Sequence, residues 1–224
     1  MKKLLVIAAA LVLMGTQAQA QLIFNAGYLH ATETAKHVQG ETTKVGAGVL
    51  DGFYTGAKYR FKLDGITEGL SIAPGANFSF LFGVDGGLPD VLDDAKTTEV
   101  ALNVPLHVQY LFEITPDFKL EAWAGPTFQV GIYNRTIDGT GNPTYIFNQY
   151  QDIPANVNVD LGGAYGAVPA RSRINLFLGL GLGFEVAELV HVNVGYDFGL
   201  LNLSKGVGYD IRRGLLRVGV GYNF

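Results

Sequence analysis

Apolar and polar residues alternate along most of the chain after residue 20. In the clearest run, every second residue from Ile174 to Val186 is large and apolar, and the residues between them are Gly, Asn, Glu and one Phe. Successive side chains of a β-strand point to opposite faces, whereas a helix would mix these two sets. The pattern therefore predicts a strand with one apolar face and one mostly polar face.

The same pattern recurs often enough to predict eight strands. They cover approximately residues 22–32, 53–62, 70–82, 99–114, 118–132, 174–186, 192–200 and 216–224. The links alternate in length, with short ones near residues 64–66, 115–117 and 187–190 and long ones near 35–48, 84–97, 135–172 and 204–211. This arrangement is typical of an up-and-down barrel with tight turns at one end and long loops at the other. Both chain ends then lie beside the tight turns.

The distribution of bulk and charge decides which face points inward. A soluble barrel fills its interior with large apolar residues and carries its charges outside. Here the apolar faces hold more bulk than eight strands can enclose, and the opposite faces combine charges with many of the 30 glycines. A closed barrel with its apolar face toward lipid also pairs its backbone groups within the hydrocarbon. The predicted fold is therefore an all-β, eight-stranded antiparallel up-and-down transmembrane β-barrel, with a soluble barrel or sandwich as the alternative.

The first twenty residues predict an export signal. Lys2 and Lys3 precede an apolar run from Leu4 to Met14, and Ala18-Gln19-Ala20 forms a small-x-small cleavage site. The run of about eleven residues is shorter than the roughly 20 that a spanning helix needs. We expect cleavage after Ala20, which leaves residues 21–224 as one barrel domain. The chain has no Cys, so disulfides, thiolate metal sites and a lipid-modified cysteine are excluded.

The last strand ends in an aromatic residue that follows alternating apolar positions, namely Val218, Val220, Tyr222 and Phe224. Together with the export signal, the eight strands and the tight turns, this ending resembles small bacterial outer-membrane barrels of the OmpX type and the OmpA transmembrane domain. The resemblance implies a location in the outer membrane of a Gram-negative-type bacterium. It also implies that Val218, Val220, Tyr222 and Phe224 are the signal read by the outer-membrane insertion machinery.

Charged residues on the inward faces form the main candidate constellation. They are Lys58, Arg60, Lys62, Glu99, Glu113, Lys119, Glu121, Glu185, Asp197 and Arg217. Charges inside a narrow barrel must be paired or hydrated, because an isolated dry charge costs several kcal/mol. One interpretation is a paired polar core that plugs the barrel. The alternative is a water-filled pore, for which the inward glycines would leave room.

Composition and motifs argue against several other functions. Without residues 1–20, 14 basic residues stand against 20 acidic ones, a balance that disfavours nucleic acid as a partner. The four histidines, His30, His37, His107 and His191, show no hydrolase motif, so we expect no catalytic, metal or cofactor site. A lipid-modifying outer-membrane enzyme is the less favoured alternative.

The long connection at 135–172 is where we expect contact with a surface ligand. It contains Tyr145, Phe147, Tyr150 and Tyr165 among Asn, Gly, Pro and Thr, and long aromatic loops often carry recognition. A β-rich extension of the flanking strands is the other interpretation. The favoured function is a non-enzymatic barrel serving envelope integrity or surface interaction, with outer-membrane lipid and the insertion machinery as partners. The competing function is a narrow passive channel.

Overall fold

The computed structural model describes residues 20–37, 43–63, 65–84, 96–137, 146–150, 157–160, 165–168, 170–205 and 209–224. The predicted export signal therefore lies outside the described residues, apart from Ala20. The strands are β1 Ala20–His37, β2 Thr43–Lys62, β3 Leu70–Val84, β4 Lys96–Thr115, β5 Phe118–Ile137, β6 Ile146–Phe147, β7 Val157–Asp160, β8 Tyr165–Val168, β9 Ile174–Val186, β10 Val190–Gly199 and β11 Tyr209–Asn223. Within these ranges, no helix is long and apolar enough to cross a membrane.

Eight of these strands close into an antiparallel ring. Its order is β1, β2, β3, β4, β5, β9, β10, β11 and back to β1. The closing seam pairs β1 with β11 from Ile23 opposite Asn223 to His37 opposite Tyr209. The predicted eight-stranded antiparallel barrel is therefore confirmed. The short links lie at one end, called the turn end below, and the long connections lie at the other, called the loop end.

The strands extend further toward the loop end than the alternation predicts. The β1–β2 ladder continues to His37 opposite Thr43, inside the link predicted at 35–48. Likewise β3 reaches Val84, β4 begins at Lys96, β5 reaches Ile137 and β11 begins at Tyr209. The predicted bounds of these loops are wrong because the outward face becomes polar toward the loop end. The alternation therefore ends there, although the hydrogen bonds between the strands continue. In the connection at 135–172, β6 extends the barrel sheet and β7 pairs with β8.

The outward face of the barrel is an apolar belt. On β9, Leu178, Leu180 and Leu182 are 51, 57 and 64% exposed, whereas the inward residues between them are buried. The belt includes Phe24, Phe53, Phe78, Val108, Phe128, Val194 and Val220 on the other strands. Large apolar residues facing out and polar ones facing in are the reverse of a soluble barrel, and they confirm the predicted orientation of the two faces.

The turn between β9 and β10 is tight and strained. Ala187 and Glu188 have φ of 51° and 59°, and the Leu189 amide donates to the Val186 carbonyl at 3.0 Å. Two successive positive φ angles define a type I′ turn, whose twist matches the flanking strands but which favours Gly or Asn. This turn brings Glu188 to the turn-end opening of the barrel.

Three glycines make room for the single tryptophan. Trp123 points inward and is 5% exposed. A Cβ atom at Gly195 would lie 2.1 Å from Trp123 Cζ2, and one at Gly181 would lie 2.4 Å from the same atom. At Gly179 a Cβ would meet both Asp197 and the indole ring. The alternating glycines of β9 are therefore the surface on which Trp123 packs.

We predict that Gly195→Ala destabilises the barrel by about 1–3 kcal/mol, because the added methyl group displaces the indole of Trp123. Gly65→Ala is the matched control, since a Cβ there would meet nothing within 4 Å. Urea unfolding in lipid vesicles, followed by the fluorescence of Trp123, measures both changes. Equal stability and an unchanged emission spectrum for Gly195→Ala would contradict the packing described here.

Candidate functional site

The interior near the turn end holds a group of ion pairs, named here the lower charge cluster: Lys58, Arg60, Glu121 and Glu185. Arg60 is 0% exposed and binds two carboxylates, donating to Glu121 Oε2 at 3.0 Å and to Glu185. Lys58 Nζ lies 3.8 Å from Glu121 Oε1. These side chains come from β2, β5 and β9, so they connect opposite walls of the barrel.

Neutral polar groups complete the coordination of this cluster. Gln109 donates to Glu121 Oε1 at 3.2 Å, and Asn223 donates to Glu185 Oε2 at 3.1 Å. His191 is fully buried with its Nε2 3.2 Å from Glu121 Oε2, but neither of its ring nitrogens forms a hydrogen bond with a described residue. A buried charge network is stable only when most of its members are satisfied. The lower charge cluster therefore joins β2, β5 and β9 across the interior through mutually dependent side chains.

A second ion pair lies above this cluster. Arg217 donates to Asp197, and its guanidinium carbon lies 5.7 Å from the Trp123 ring centroid. His107 stacks on Trp123 with ring centroids 4.4 Å apart and planes 13° apart. A cavity of about 30 Å³ between Lys58, His107 and Arg217 has room for roughly one water molecule. These side chains therefore enclose a small void beside Arg217.

An apolar plate crosses the barrel toward the loop end. It consists of buried side chains from five strands, namely Leu29, Ala31, Leu50, Tyr54, Leu81, Phe177 and Leu215. The prediction of a polar interior is therefore wrong at this level. The reason is that inward leucines on β1, β2, β3 and β11 converge with Phe177 of β9, and large apolar side chains that meet at the axis exclude water.

An upper charge cluster, Glu33, Glu99, Arg171 and Arg213, closes the loop end. Arg213 donates to Glu99 Oε2 at 2.9 Å and to Glu33 Oε1 at 2.7 Å. Arg171 donates two parallel hydrogen bonds to the same carboxylate, to Glu33 Oε1 at 2.9 Å and to Glu33 Oε2 at 2.6 Å. Paired guanidinium–carboxylate bonds of this kind are among the strongest in proteins.

Arg171 belongs to the long connection rather than to a barrel strand. Its amide donates to the Gln149 carbonyl at 2.8 Å, and the Gln149 amide donates to Asn134 Oδ1 at 3.4 Å. Tyr150 is 5% exposed and packs so closely on Gly131 that a Cβ atom there would lie 2.3 Å from its ring. Residues 149–150 and residue 171 of the connection are therefore anchored on the mouth of the barrel.

The predicted inward charges occupy two environments. Lys58, Arg60, Glu99, Glu121, Glu185, Asp197 and Arg217 lie among the paired groups of the interior. Lys62, Glu113 and Lys119 instead line an open cavity of about 920 Å³ at the turn end. Placing Glu113 in the interior was wrong, because its side chain is exposed. Alternation gives the face of a strand but not the depth of a residue along the barrel axis.

An exposed ion pair at the turn end involves Glu188. Lys119 donates a hydrogen bond to Glu188, and this bond together with the lysine charge lowers the pKa of the Glu188 carboxyl. The carboxylate is therefore ionised at neutral pH. Lys119 is thus held by the β9–β10 turn rather than by the interior network.

Three members of the upper charge cluster were missed by the sequence-based prediction. Glu33 and Arg213 lie on the inward series that continue from Ala31 and Leu215, just beyond the predicted strand limits. Extending those series would have found them. Arg171 follows no alternating pattern, so the sequence carries no signal for its entry into the barrel.

The structure also brings together three outward-facing residues. Asp51 accepts hydrogen bonds from Tyr28 and, at 2.7 Å, from His30 Nδ1, all near the loop-end edge of the apolar belt. Asp51 lies on the outward face two residues before Phe53, where an apolar residue is expected, so the sequence could have drawn attention to it. Within the described residues, no serine is hydrogen-bonded to His30, and no three His, Asp or Glu side chains form a metal-binding group.

The predicted insertion signal lies on the last outward series of β11. Val218, Val220, Tyr222 and Phe224 are all substantially exposed, and the ring of Phe224 contacts Tyr222 and Phe24 at centroid distances of 4.8 and 5.3 Å. The Phe224 amide donates to the Leu22 carbonyl at 2.9 Å. In the folded barrel this segment completes the seam with β1.

A family model described as the outer membrane protein β-barrel domain matches residues 6–224. No curated protein matches the sequence significantly. Solved structures similar to this chain include Ail of Yersinia pestis, with 15% identity and a TM-score of 0.45 over 92% of this chain and 99% of Ail. OprG of Pseudomonas aeruginosa has 11% identity and a TM-score of 0.41 over 92% of this chain and 97% of OprG. The protease OmpT of Escherichia coli has 10% identity and a TM-score of 0.38 over 92% of this chain and 96% of OmpT. Likenesses this distant carry no argument about function.

We predict that Arg60→Met destabilises the barrel by about 3–5 kcal/mol, because it leaves Glu185 buried without a cation and leaves Glu121 with Lys58 alone. Lys62→Met is the matched control two residues along the same strand, and its cost should stay below about 1 kcal/mol because Lys62 lies at the solvated opening. The double variant Arg60→Met, Glu185→Gln keeps the Lys58–Glu121 pair and should recover most of the loss. Urea unfolding measures all three. Equal costs for Arg60→Met and Lys62→Met would contradict the pairing.

Proposed function

This chain belongs to the outer membrane protein β-barrel family, and we propose that it is a non-enzymatic barrel with a closed interior that holds its loops at the cell surface. Its role in this proposal is surface interaction or envelope integrity. Among small barrels we group it with the OmpX type and the OmpA transmembrane domain. The proposal rests on the described part of the interior, where an apolar layer lies between two charge clusters.

The observation that carries the proposal is the apolar plate between two charge clusters. Leu50, Phe177 and Leu215 are at most 3% exposed and meet across the axis. An ion that crossed this level would lose its hydration without gaining a polar partner, which costs many kcal/mol. Hydrophobic constrictions stop conduction in channels for the same reason.

A narrow passive channel is the competing function. The open cavity at the turn end and the small cavity beside Lys58 and Arg217 favour it, because they supply polar space over part of the length. A continuous path would require the apolar plate and the upper charge cluster to move together. Since Arg171 and Arg213 share Glu33 in the upper cluster, such a movement would break several charge-assisted bonds at once.

The long connection fits the surface role. Arg171 and Tyr150 attach two parts of this connection to the barrel mouth. We propose that a surface ligand binds there, within residues 135–172, and that nucleic acid is not a partner. We propose no catalytic activity for the His30–Asp51 pair, and among the described residues no serine is hydrogen-bonded to His30.

The proposed placement puts the loop end outside the cell and the turn end in the periplasm. In this arrangement residues 1–20 direct export and are removed after Ala20. The insertion machinery reads Val218, Val220, Tyr222 and Phe224 before the seam with β1 closes. Outer-membrane lipid then covers the apolar belt.

We predict that the refolded barrel shows no discrete current steps in a planar bilayer, because the apolar plate excludes hydrated ions. The double variant Leu50→Gly, Phe177→Gly removes the centre of the plate but leaves both charge clusters, so it should also stay silent. Adding Arg60→Gly and Arg213→Gly opens all three levels and should produce measurable steps. Glu121→Gln is the control, since it alters charge without opening the plate. Reproducible steps from the unaltered protein, with an ion selectivity that Glu121→Gln changes, would replace this proposal with the channel.

We predict that an epitope tag inserted at residues 161–164 is detected by antibody on intact cells. A tag inserted at Gly65, in the link between β2 and β3, should be detected only after permeabilisation. Mass spectrometry of the purified protein should find Gln21 as its first residue. Detection of the Gly65 tag on intact cells would reverse the orientation, and retention of residues 1–20 would contradict the cleavage.

A further inference from the structure

An acid and a base face outward within the apolar belt. Asp51 is flanked by Phe53 on its own strand and by Phe82 on β3, which are 50 and 47% exposed. His30 pairs with Asp51 on one side and with Leu216 of β11 on the other. Ionisable side chains that face hydrocarbon are costly, and they usually mark a functional contact. The His30–Asp51 pair is therefore a candidate contact site within the membrane.

Each member of this pair has one polar atom without a partner. Asp51 Oδ1 accepts from Tyr28 and also from His30 Nδ1, the latter at 2.7 Å. Among the described residues, no hydrogen bond or ion pair reaches Asp51 Oδ2 or His30 Nε2. The side chains of His30 and Asp51 are 34 and 53% exposed. The pair therefore offers one acceptor and one donor to a group outside the barrel.

The placement of these two atoms suits a second copy of the same chain. Copies that cross one bilayer share an orientation, so a two-fold axis relating two of them is perpendicular to the membrane. His30 and Asp51 are direct partners on neighbouring strands, with Cα atoms about 4.5–5.5 Å apart, so their heights in the membrane differ by less than a side-chain length. Rotation about an axis between β1 and β2 therefore brings each His30 opposite the Asp51 of the other copy. The pair is self-complementary in charge.

Small outward residues lie on both sides of the pair. Two residues beyond Tyr28 toward the turn end, Ala26 of β1 pairs with Thr55 of β2. Toward the loop end, Thr32 of β1 pairs with Gly214 of β11. Lipid-facing surfaces gain no hydrophobic energy from meeting each other, so close packing and polar contacts decide whether they associate. The small residues therefore leave room for two barrel walls to approach at the pair.

We propose that the wall formed by β1 and β2 is a self-association surface, through which two copies of this barrel form a dimer in the membrane. In the dimer, Nε2 of a protonated His30 in each copy donates to Asp51 Oδ2 of the other copy, which gives two reciprocal charge-assisted hydrogen bonds. Each imidazolium then lies between two carboxylates. The proposal requires the barrel to span a bilayer, but it does not depend on whether the lumen conducts.

The test measures association of the full barrel in phosphatidylcholine vesicles. Because the chain has no Cys, Gly65→Cys provides a single labelling position at the turn end, where a Cβ atom meets nothing within 4 Å. Energy transfer between donor-labelled and acceptor-labelled copies is followed as the protein is diluted in lipid. We expect transfer to rise linearly with the acceptor fraction, as in a dimer, and to persist at dilutions where random proximity contributes nothing.

His30→Leu and Asp51→Leu each remove both reciprocal bonds. Either change should raise the dissociation constant of the dimer about a hundredfold, because two charge-assisted bonds are lost. Leucine suits a lipid-facing position, so both variants should still fold. Arg135→Leu is the matched control, since it removes an exposed outward charge from β5 on the opposite wall, and it should leave the dissociation constant unchanged.

Mixing the two variants tests the reciprocal geometry. A His30→Leu copy keeps Asp51 and an Asp51→Leu copy keeps His30, so the mixed pair retains one of the two bonds. We expect the mixed pair to associate about tenfold more tightly than either variant does alone. A folding defect in either variant would not be repaired by mixing, so this recovery reports the contact itself.

The contact also depends on pH. Because the Asp51 carboxylate accepts from His30 Nδ1, Nε2 can donate only when the ring is protonated. The titratable groups that face the ring are Tyr28 on β1 and Asp51 on β2, whereas β11 presents the apolar Leu216. Histidine changes its charge between about pH 5 and 8. The dissociation constant of the unaltered dimer should therefore rise as the pH rises through this range.

Four results would overturn the proposal. Absence of transfer beyond random proximity would mean that the pair faces lipid headgroups or water rather than a second copy. A dimer that neither leucine variant weakens would form through another surface. Failure of the mixed pair to recover would exclude the reciprocal contact, and a dissociation constant that does not rise with pH would exclude Nε2 as its donor. Since none of these measurements needs a current, they are independent of the test of the closed interior.

Discussion

The structure depends on one constraint: within hydrocarbon, every backbone amide and carbonyl needs a partner inside the protein. The seam between β1 and β11 satisfies it, because without these paired residues the sheet would have two open edges. Closing the ring in turn fixes which faces enclose the interior and which meet lipid. The apolar belt and the buried charges are both consequences of this closure.

Closure creates a second requirement, because an eight-stranded barrel has little interior volume and any charge inside it needs a partner. The interior meets this requirement in layers. Arg60 joins two carboxylates near the turn end, Arg213 joins two near the loop end, and apolar side chains fill the level between them. Glycines on β9 and β10 permit the filling, since Trp123 occupies the space that their side chains would need.

The position of an arginine decides its role. Arg60, Arg171 and Arg213 face inward, and each is bound to carboxylates. Arg135 faces outward, and its side chain is exposed. The same residue type is therefore paired with carboxylates inside the wall and exposed outside it. Arg171 adds a third use, because it attaches the long connection to the barrel mouth.

The sequence by itself determined the strand number, the alternation of tight and long links and the two faces of each strand, because these depend on a period of two residues that is local. It identified most of the interior charges for the same reason. It placed Glu113 inside and missed Glu33 and Arg213, because alternation does not give depth and loses its contrast where the outer face becomes polar. Only the tertiary structure decided which charges pair, that an apolar plate crosses the lumen and that Arg171 enters it. Those features join residues as far apart as Arg171 and Glu33, 138 positions along the chain, and their contact depends on the closed register of the whole ring.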